Sequence, residues 1–431
     1  MAPSPASVSR PANSEGVARL VKRPPARKQI FTGLDIGTTK VCAIIGEINT
    51  DGRVSILGLA STPSHGLRRG IVINLDETVD SICSAIRKAE EIAQVTVRDV
   101  FVGIAGGHIE CLQLKSEIDV ASPERGISRA DIARVVRTAV ESHIAVDREV
   151  LHQIPTRFMI DDGPILDPLG FHSRRLGVEL MLVTAAVTSA QNIIRAVTRS
   201  HCRVAGIYLE PLASSLAVIS EEEKELGVVL IDIGGGTSDV AVWAGGAVRY
   251  TGVLPVGGDA ITEDVAKGLE ISRYDAENLK KKFGHCLPEA VDEAETIESR
   301  DPLTGQMRQH SRRFLAEIIE ARVEEMFELI RNRLKTLPCY GEVYGGVILT
   351  GGTSLQKGMT EVATRVFGKR CKLGAPAGLG GLAGAANSPI YSTGVGLVLY
   401  GLEHEREQSY FDGNNFQRIW RSLGGLIDWY S

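Results

Sequence analysis

Residues Gly227–Val242 read GVVLIDIGGGTSDVAV. The run Val228–Ile231 is apolar and β-branched, short enough for a buried strand. Asp232 follows, then Gly234-Gly235-Gly236-Thr237, then Asp239 and a second apolar run, Val240–Trp243. The pattern is strand, glycine turn, strand. Glycines in such a turn leave backbone N–H groups facing one concavity with no Cβ to hold a ligand away, which suits phosphate. Asp232 closes the first strand where a carboxylate can hold the hydrated Mg²⁺ that accompanies a nucleotide. The competing reading is an ordinary hairpin with a glycine-rich turn.

A second copy weighs against that plainer reading. Phe31–Ala43 reads FTGLDIGTTKVCA: Asp35 follows an apolar pair, Gly37-Thr38-Thr39 make the turn before Lys40, and Val41–Ile45 continues as a strand. Two such hairpins in one chain are an internal repeat. Two facing lobes, each with an Asp and a phosphate turn, would clamp a triphosphate from both sides. A third element, Val347–Met359 (VILTGGTSLQKGM), gives a strand, Gly351-Gly352-Thr353 and a helix start.

These elements resemble, in order, the phosphate loops and adenosine turn of the superfamily of actin, heat-shock chaperones and sugar kinases. With Tyr391–Gly401 (YSTGVGLVLYG) and an amphipathic C-terminus, the chain is similar to the FtsA family of bacterial division proteins. The resemblance implies an actin-like two-lobed α/β ATPase fold with ribonuclease-H-like lobes and an inserted α+β subdomain. It implies ATP and Mg²⁺ as cofactors. Phosphate contacts fall to Gly37, Thr38, Thr39, Lys40, Gly234, Gly235, Gly236 and Thr237, adenosine contacts to Gly351, Gly352 and Thr353, and water-mediated Mg²⁺ contacts to Asp35 and Asp232. On the family template Glu320 and Glu324 face the adenine; a solvated charged helix face explains them equally well. Glu210, in Glu-Pro-Leu-Ala-Ser-Ser, matches the residue that orients the attacking water, its plainer role being to cap a helix.

Composition sets the outer bounds. A chain of 431 residues holds about three domain-sized units, and 43% apolar content supports a packed core. A net charge of −5 gives no pointer to nucleic acid. Seven cysteines without a CxxC pair read as thiols in a reducing compartment. Cys111 lies near His108, but two ligands make no zinc site. No apolar run approaches the ~20 residues of a spanning helix.

The expected organisation is a basic, Pro-rich tail over 1–28; a first lobe over 29–98; the inserted α+β unit over 99–182, including LHQIPTRFMIDD from Leu151; and a return with an interlobe helix over 183–224. The second lobe follows at 225–256 and 338–386, split by a helical subdomain over 257–337. Residues 387–403 return to the first lobe, and 404–414 form a linker. Asp51-Gly52 reads as a hairpin turn, Asp76 as the cap of a helix over 76–93, and Ser128 with Asp131 as a capping box. The loop Ser64–Val72 (SHGLRRGIV) also fits the family, without an assigned role.

The last segment, NFQRIWRSLGGLIDWYS, places Phe416, Ile419, Trp420, Leu423, Ile427 and Tyr430 on one helical face, with Trp429 beside them. Aromatic side chains favour the water–lipid boundary, so the segment reads as an interfacial membrane helix; docking on the globular body or on a partner groove is the alternative. Gly424-Gly425 cost about 2 kcal/mol of helix stability in water, so the helix is expected to fold on lipid. By resemblance, partners are the C-terminal tail of the tubulin-like FtsZ at the helical subdomain, further copies of the chain in a filament, membrane lipids, and later division proteins at the inserted subdomain, all at the inner face of the cytoplasmic membrane. A phosphotransferase or phosphohydrolase of the same superfamily is the main alternative, and a pilus-assembly actin relative the nearest fallback.

Overall fold

Strands β1 (Ile30–Ile36), β2 (Lys40–Ile48) and β3 (Val54–Pro63) run as an antiparallel meander, with Asp35 opposite Cys42 and Ile36 opposite Val41 at the first turn. The computed structural model describes residues 29–49, 53–141, 143–161 and 163–411. The basic tail, Asp51-Gly52 and the terminal amphipathic segment lie outside the described residues. β1 and β2 are buried along nearly their whole length, as suits their largely apolar composition, and they carry Thr32, Asp35 and Glu47 into the interior with them.

A short hairpin follows, β4 (Leu67–Arg68) with β5 (Ile71–Val72), and then α1 (Leu75–Ala93). Asn74, not Asp76, caps this helix: its backbone is extended, and its side-chain oxygen accepts from the N–H groups of Asp76 and Glu77 at 3.1 and 3.3 Å. Asp76 lies in the first turn and pairs with Arg199 at 2.7 Å. β6 (Asp99–Ile104) then lies parallel beside β1. The first lobe therefore extends past the expected boundary at 99. A strand's composition does not state which sheet it joins, and here parallel pairing on both sides decides it.

The inserted unit comprises β7 (Ile109–Asp119), α2 (Arg129–Glu141), β8 (Arg148–Ile160), β9 (Gly163–Ile165) and β10 (Arg175–Ala186) in the sheet order β7-β10-β8-β9. It has its own core, in which Val135, Val136 and Ala139 of α2 pack on Leu176, Leu180 and Leu182. The capping box forms as expected: the Ser128 N–H donates to Asp131 at 3.1 Å, and the Asp131 N–H to Ser128 Oγ at 3.3 Å. The unit touches both lobes. Met181 and Val183 cluster with Leu209 and Leu212 of the first lobe and Val248 of the second. Gln113 donates to the Arg249 carbonyl, and Arg249 reaches the Thr156 carbonyl at 3.5 Å.

The chain returns through α3 (Val187–Arg199), β11 (Arg203–Leu209) and α4 (Glu210–Val218). α4 starts at Glu210 because Pro211, which lacks an N–H, fits the first helical turn. After α5 (Glu221–Leu226), the second lobe repeats the first: an antiparallel meander of β12 (Val228–Ile233), β13 (Ser238–Ala244) and β14 (Ala247–Leu254). Then come α6 (Gly258–Gly268), α7 (Arg273–Phe283), the hairpin β15 (Thr296–Arg300) with β16 (Met307–Ser311), and α8 (Arg312–Lys335). α8 buries Leu315, Ile319, Val323, Met326, Phe327, Ile330 and Leu334, each worth at most about 1.5–3 kcal/mol.

β17 (Gly346–Thr350), α9 (Met359–Phe367) and β18 (Cys371–Leu373) complete the lobe, whose order is β14-β13-β12-β17-β18. β19 (Gly380–Gly381) and α10 (Ala383–Ala386) lead back, so that the first sheet reads β11-β6-β1-β2-β3-β19. In both sheets a meander is flanked by parallel strands on the side of its first strand, so the repeat seen in the two turns extends to whole lobes. The final helix, α11 (Ser392–Phe411), packs on α4 and β1 and carries helical structure through most of the expected linker over 404–414. Among the described residues no helix is long and apolar enough to cross a membrane.

Candidate functional site

The two Asp-containing hairpins close identically. The Gly37 N–H donates to the Lys40 carbonyl at 3.0 Å, and the Gly234 N–H to the Thr237 carbonyl at 2.9 Å. Their tips meet across the lobes. A Cβ on Gly235 would overlap Thr39 Oγ1, and one on Gly236 would lie 2.9 Å from Thr38 Oγ1. None of Gly234, Gly235 and Gly236 has a positive φ. At Gly235 and Gly236 it is the opposing turn that requires glycine, a reason the chain's linear order does not reveal.

The second turn is pinned from behind. The N–H groups of Gly258 and Asp259, opening α6, donate to the carbonyls of Gly234 and Gly235 at 3.0 and 2.8 Å. Thr353 Oγ1 donates to the Gly234 carbonyl at 2.8 Å, which brings the Gly351-Gly352-Thr353 turn to the same spot. Buried Lys280 holds the Gly258 carbonyl at 3.0 Å and Thr262 Oγ1 at 2.7 Å.

Four carboxylates gather behind the turns: Asp35, Asp232, Asp239 and Glu210, whose side chain packs on Gly103. Burial lifts Asp35 to about 6; the neighbouring Asp232 adds to this, and Lys40, 3.8 Å away, opposes it. Burial first, then the surrounding carboxylates, push Glu210 and Asp239 well above the ordinary carboxylate range. Asp239 Oδ1 is buried without a hydrogen-bond partner. Lys40 faces both Asp35 and the Ile390 carbonyl, to which it donates. So much crowded negative charge fits a divalent cation. Among the described residues no three His, Cys, Asp or Glu groups converge to ligate one directly, so the fit is to a hydrated ion, the usual state of bound Mg²⁺.

Asp232 is held from the opposite lobe. Its Oδ2 accepts from Ser214 Oγ of α4 at 2.5 Å and from Thr393 Oγ1 of α11 at 3.1 Å. The second lobe's key carboxylate is thus fastened by two first-lobe helices. Sequence reasoning passed over Ser214 and Thr393; the only signal was that polar Ser214 lies on the small face of α4.

Thr38, Gly235 and Gly236 also line an open cleft of about 300 Å³, with Arg68, Arg69 and Ile73 on the first-lobe side and Val256, Asp259, Glu263 and Arg273 on the second. Glu320 and Glu324 do not line this cleft. Both carboxylates bind Arg365 of α9 at 2.7 Å. Burial pushes the His108 imidazole down to about 4 and the nearby Cys111 thiol up to about 12.

Two lobes of one topology, meeting turn to turn over buried carboxylates, define an actin-like ATPase fold. Solved structures agree. The chain superimposes on the type IV pilus PilM–PilN complex with a TM-score of 0.63 at 16% identity, covering 86% of this chain and 98% of that one. It superimposes on Spiroplasma citri MreB5 bound to ADP with a TM-score of 0.52 at 14% identity, covering 85% and 94%. At these identities the likeness is one of fold. Residues 229–396 match the family model of cell division protein FtsA, and 106–184 that of the SHS2 domain inserted in FtsA. The latter range coincides with the inserted unit. Cell division protein FtsA of Pseudomonas aeruginosa is 40% identical over 380 residues, 88% of this chain and 91% of that one. The chain belongs to the FtsA family of cell division proteins.

Proposed function

We propose that this chain binds ATP–Mg²⁺ between its lobes, assembles into filaments with copies of itself, and fastens the FtsZ ring to the inner face of the cytoplasmic membrane at the division site. The observation that carries the nucleotide reading is the meeting of the two equivalent turns over four crowded carboxyl groups that share the single nearby cation Lys40 among the described residues. In this reading the backbone and hydroxyls of Gly37–Lys40 and Gly234–Thr237 hold the phosphates. Asp35 and Asp232 hold the hydrated Mg²⁺, which supplies charge neutralisation to the phosphates. Adenosine lies against Gly351–Thr353, with Glu320 and Glu324 contributing through their shared Arg365. Glu210, whose carboxyl burial raises well above the ordinary range, is the residue that would orient the attacking water; hydrolysis is slow at most.

Filament contacts and later division proteins engage the inserted unit, the FtsZ tail engages the helical subdomain over 257–337, and residues 415–431 bind lipid as an amphipathic helix. A single such tail binds weakly, and a filament that presents many binds far more tightly. The test is co-sedimentation of the full chain with anionic liposomes, with and without ATP–Mg²⁺, beside a version ending at Asn414. The expected result is pelleting of the full chain alone, strengthened by ATP. Equal pelleting of both versions would move the lipid contact elsewhere, and pelleting of neither would make the terminal segment a protein-docking element.

A further inference from the structure

The loop SHGLRRGIV takes no part in the function proposed above, and its geometry is specific. Leu67–Arg68 pairs with Ile71–Val72, which leaves Arg69-Gly70 as a two-residue turn. Both turn residues have positive φ, 50° and 78°, the type I′ geometry usually filled by Asn, Asp or Gly. An arginine held there carries a conformational cost, and such costs gather at sites that use the side chain. The hairpin is anchored: Leu67 is buried, and a Cβ on Gly70 would overlap the Ala105 carbonyl at the end of β6. Arg68 and Arg69 line the cleft with Thr38, Gly235 and Gly236. Neither makes an ion pair or side-chain hydrogen bond among the described residues, whereas Arg273 across the cleft is paired with Asp259 at 3.0 Å. Two exposed arginines without an ion pair among the described residues, carried on an anchored hairpin, thus border the cleft that Thr38, Gly235 and Gly236 of the two turns also line.

We infer that Arg68 and Arg69 form a phosphate-sensing pair that binds the terminal phosphate of a nucleoside triphosphate. The inference rests on the nucleotide reading above and adds to it a basis for telling triphosphate from diphosphate. The charge is placed for it: the turns offer neutral donors and Lys40 is engaged with Asp35 and Ile390, so the last, most highly charged phosphate has these two arginines as its free cations. A planar fork matches phosphate oxygens in a way that lysine does not.

The experiment measures the dissociation constants of ATP and ADP, each with Mg²⁺, for the full chain and for Arg68→Ala, Arg69→Gly and the double Arg68→Lys/Arg69→Lys variant. Arg69→Gly suits the positive φ and keeps the turn folded. The expected result is a fall in ATP affinity of about 10- to 100-fold for Arg68→Ala or Arg69→Gly, the scale of a charge-assisted contact. ADP affinity stays within about twofold, and the lysine pair falls between. Equal losses for ATP and ADP would overturn the inference in favour of a clasp between this hairpin and Asp259 or Glu263. Unchanged ATP binding in both single variants would also overturn it. If the unaltered chain binds neither nucleotide, the nucleotide reading itself fails, a result distinct from the other two.

Discussion

Replacing Gly235 with alanine tests the turn-to-turn contact most directly. The new methyl overlaps Thr39 Oγ1, so the turns must separate before the site can close. Overpacking of this kind costs about 1–3 kcal/mol. The overlap lies between lobes, so an open arrangement relieves it, and the cost falls on the closed, nucleotide-holding state. At about 1.4 kcal/mol per tenfold, Gly235→Ala should weaken ATP–Mg²⁺ binding by about 5- to 150-fold in isothermal titration calorimetry. The guanidinium midpoint should move little. In a Thr39→Ala background the obstructing hydroxyl is gone and the nearest atom is Thr39 Cβ at 3.3 Å. There the same glycine substitution should cost less than half as much. An ATP affinity unaffected by Gly235→Ala, or an equal penalty in both backgrounds, would refute the argument that the opposing turn is what demands glycine.

Ser214→Ala removes the 2.5 Å donor to buried Asp232 and should lower stability by about 1–3 kcal/mol in urea; Thr393→Ala, which removes the 3.1 Å donor, should cost less. Asp35 titrates near 6 in the folded, cation-free protein instead of its usual 3.8, so the folded state holds an extra proton between those values and this group's contribution to stability falls as pH rises through them. A bound cation favours the charged form, so Mg²⁺–nucleotide binding at pH 5.5 should release a proton, read as a buffer-dependent calorimetric heat that Asp35→Asn reduces; a heat that is the same in buffers of different ionisation enthalpy would contradict the assignment. Ser128→Ala breaks the capping box of α2 and should destabilise the inserted unit by about 1 kcal/mol in thermal unfolding.

Much of this architecture was legible because local order encodes it. Strand, glycine turn and strand appear twice in contiguous residues, and the long apolar stripe of α8 repeats at helical spacing. What stayed hidden depends on contacts between distant segments. Asp99–Ile104 is a strand by composition in either reading, and only its pairing with β1 and β11 assigns it to the first lobe. Asn74 and Asp76 are both good caps, and the choice turns on where the backbone first becomes helical. Ser214 and Thr393 are far apart in the chain and converge on Asp232 only after both helices have docked. Glu320 and Glu324 share one face of α8 in the sequence, but their partner Arg365 comes from another helix.

The footing of the inserted unit has a mechanical consequence. Its hydrophobic contacts with Leu209 and Leu212 on one side and Val248 on the other, reinforced through Arg249, make it the third bar of a linkage whose other two bars are the lobes. A triangle of rigid bars cannot change one angle alone. Any swing that widens or narrows the cleft must either slide the inserted sheet over β14 or tilt the whole of it. A tilt is magnified with distance from the pivot, so the rim of that sheet farthest from the lobes travels most. A protein that grips the rim therefore works a lever: it can feel the state of the cleft or, by pulling back, set it.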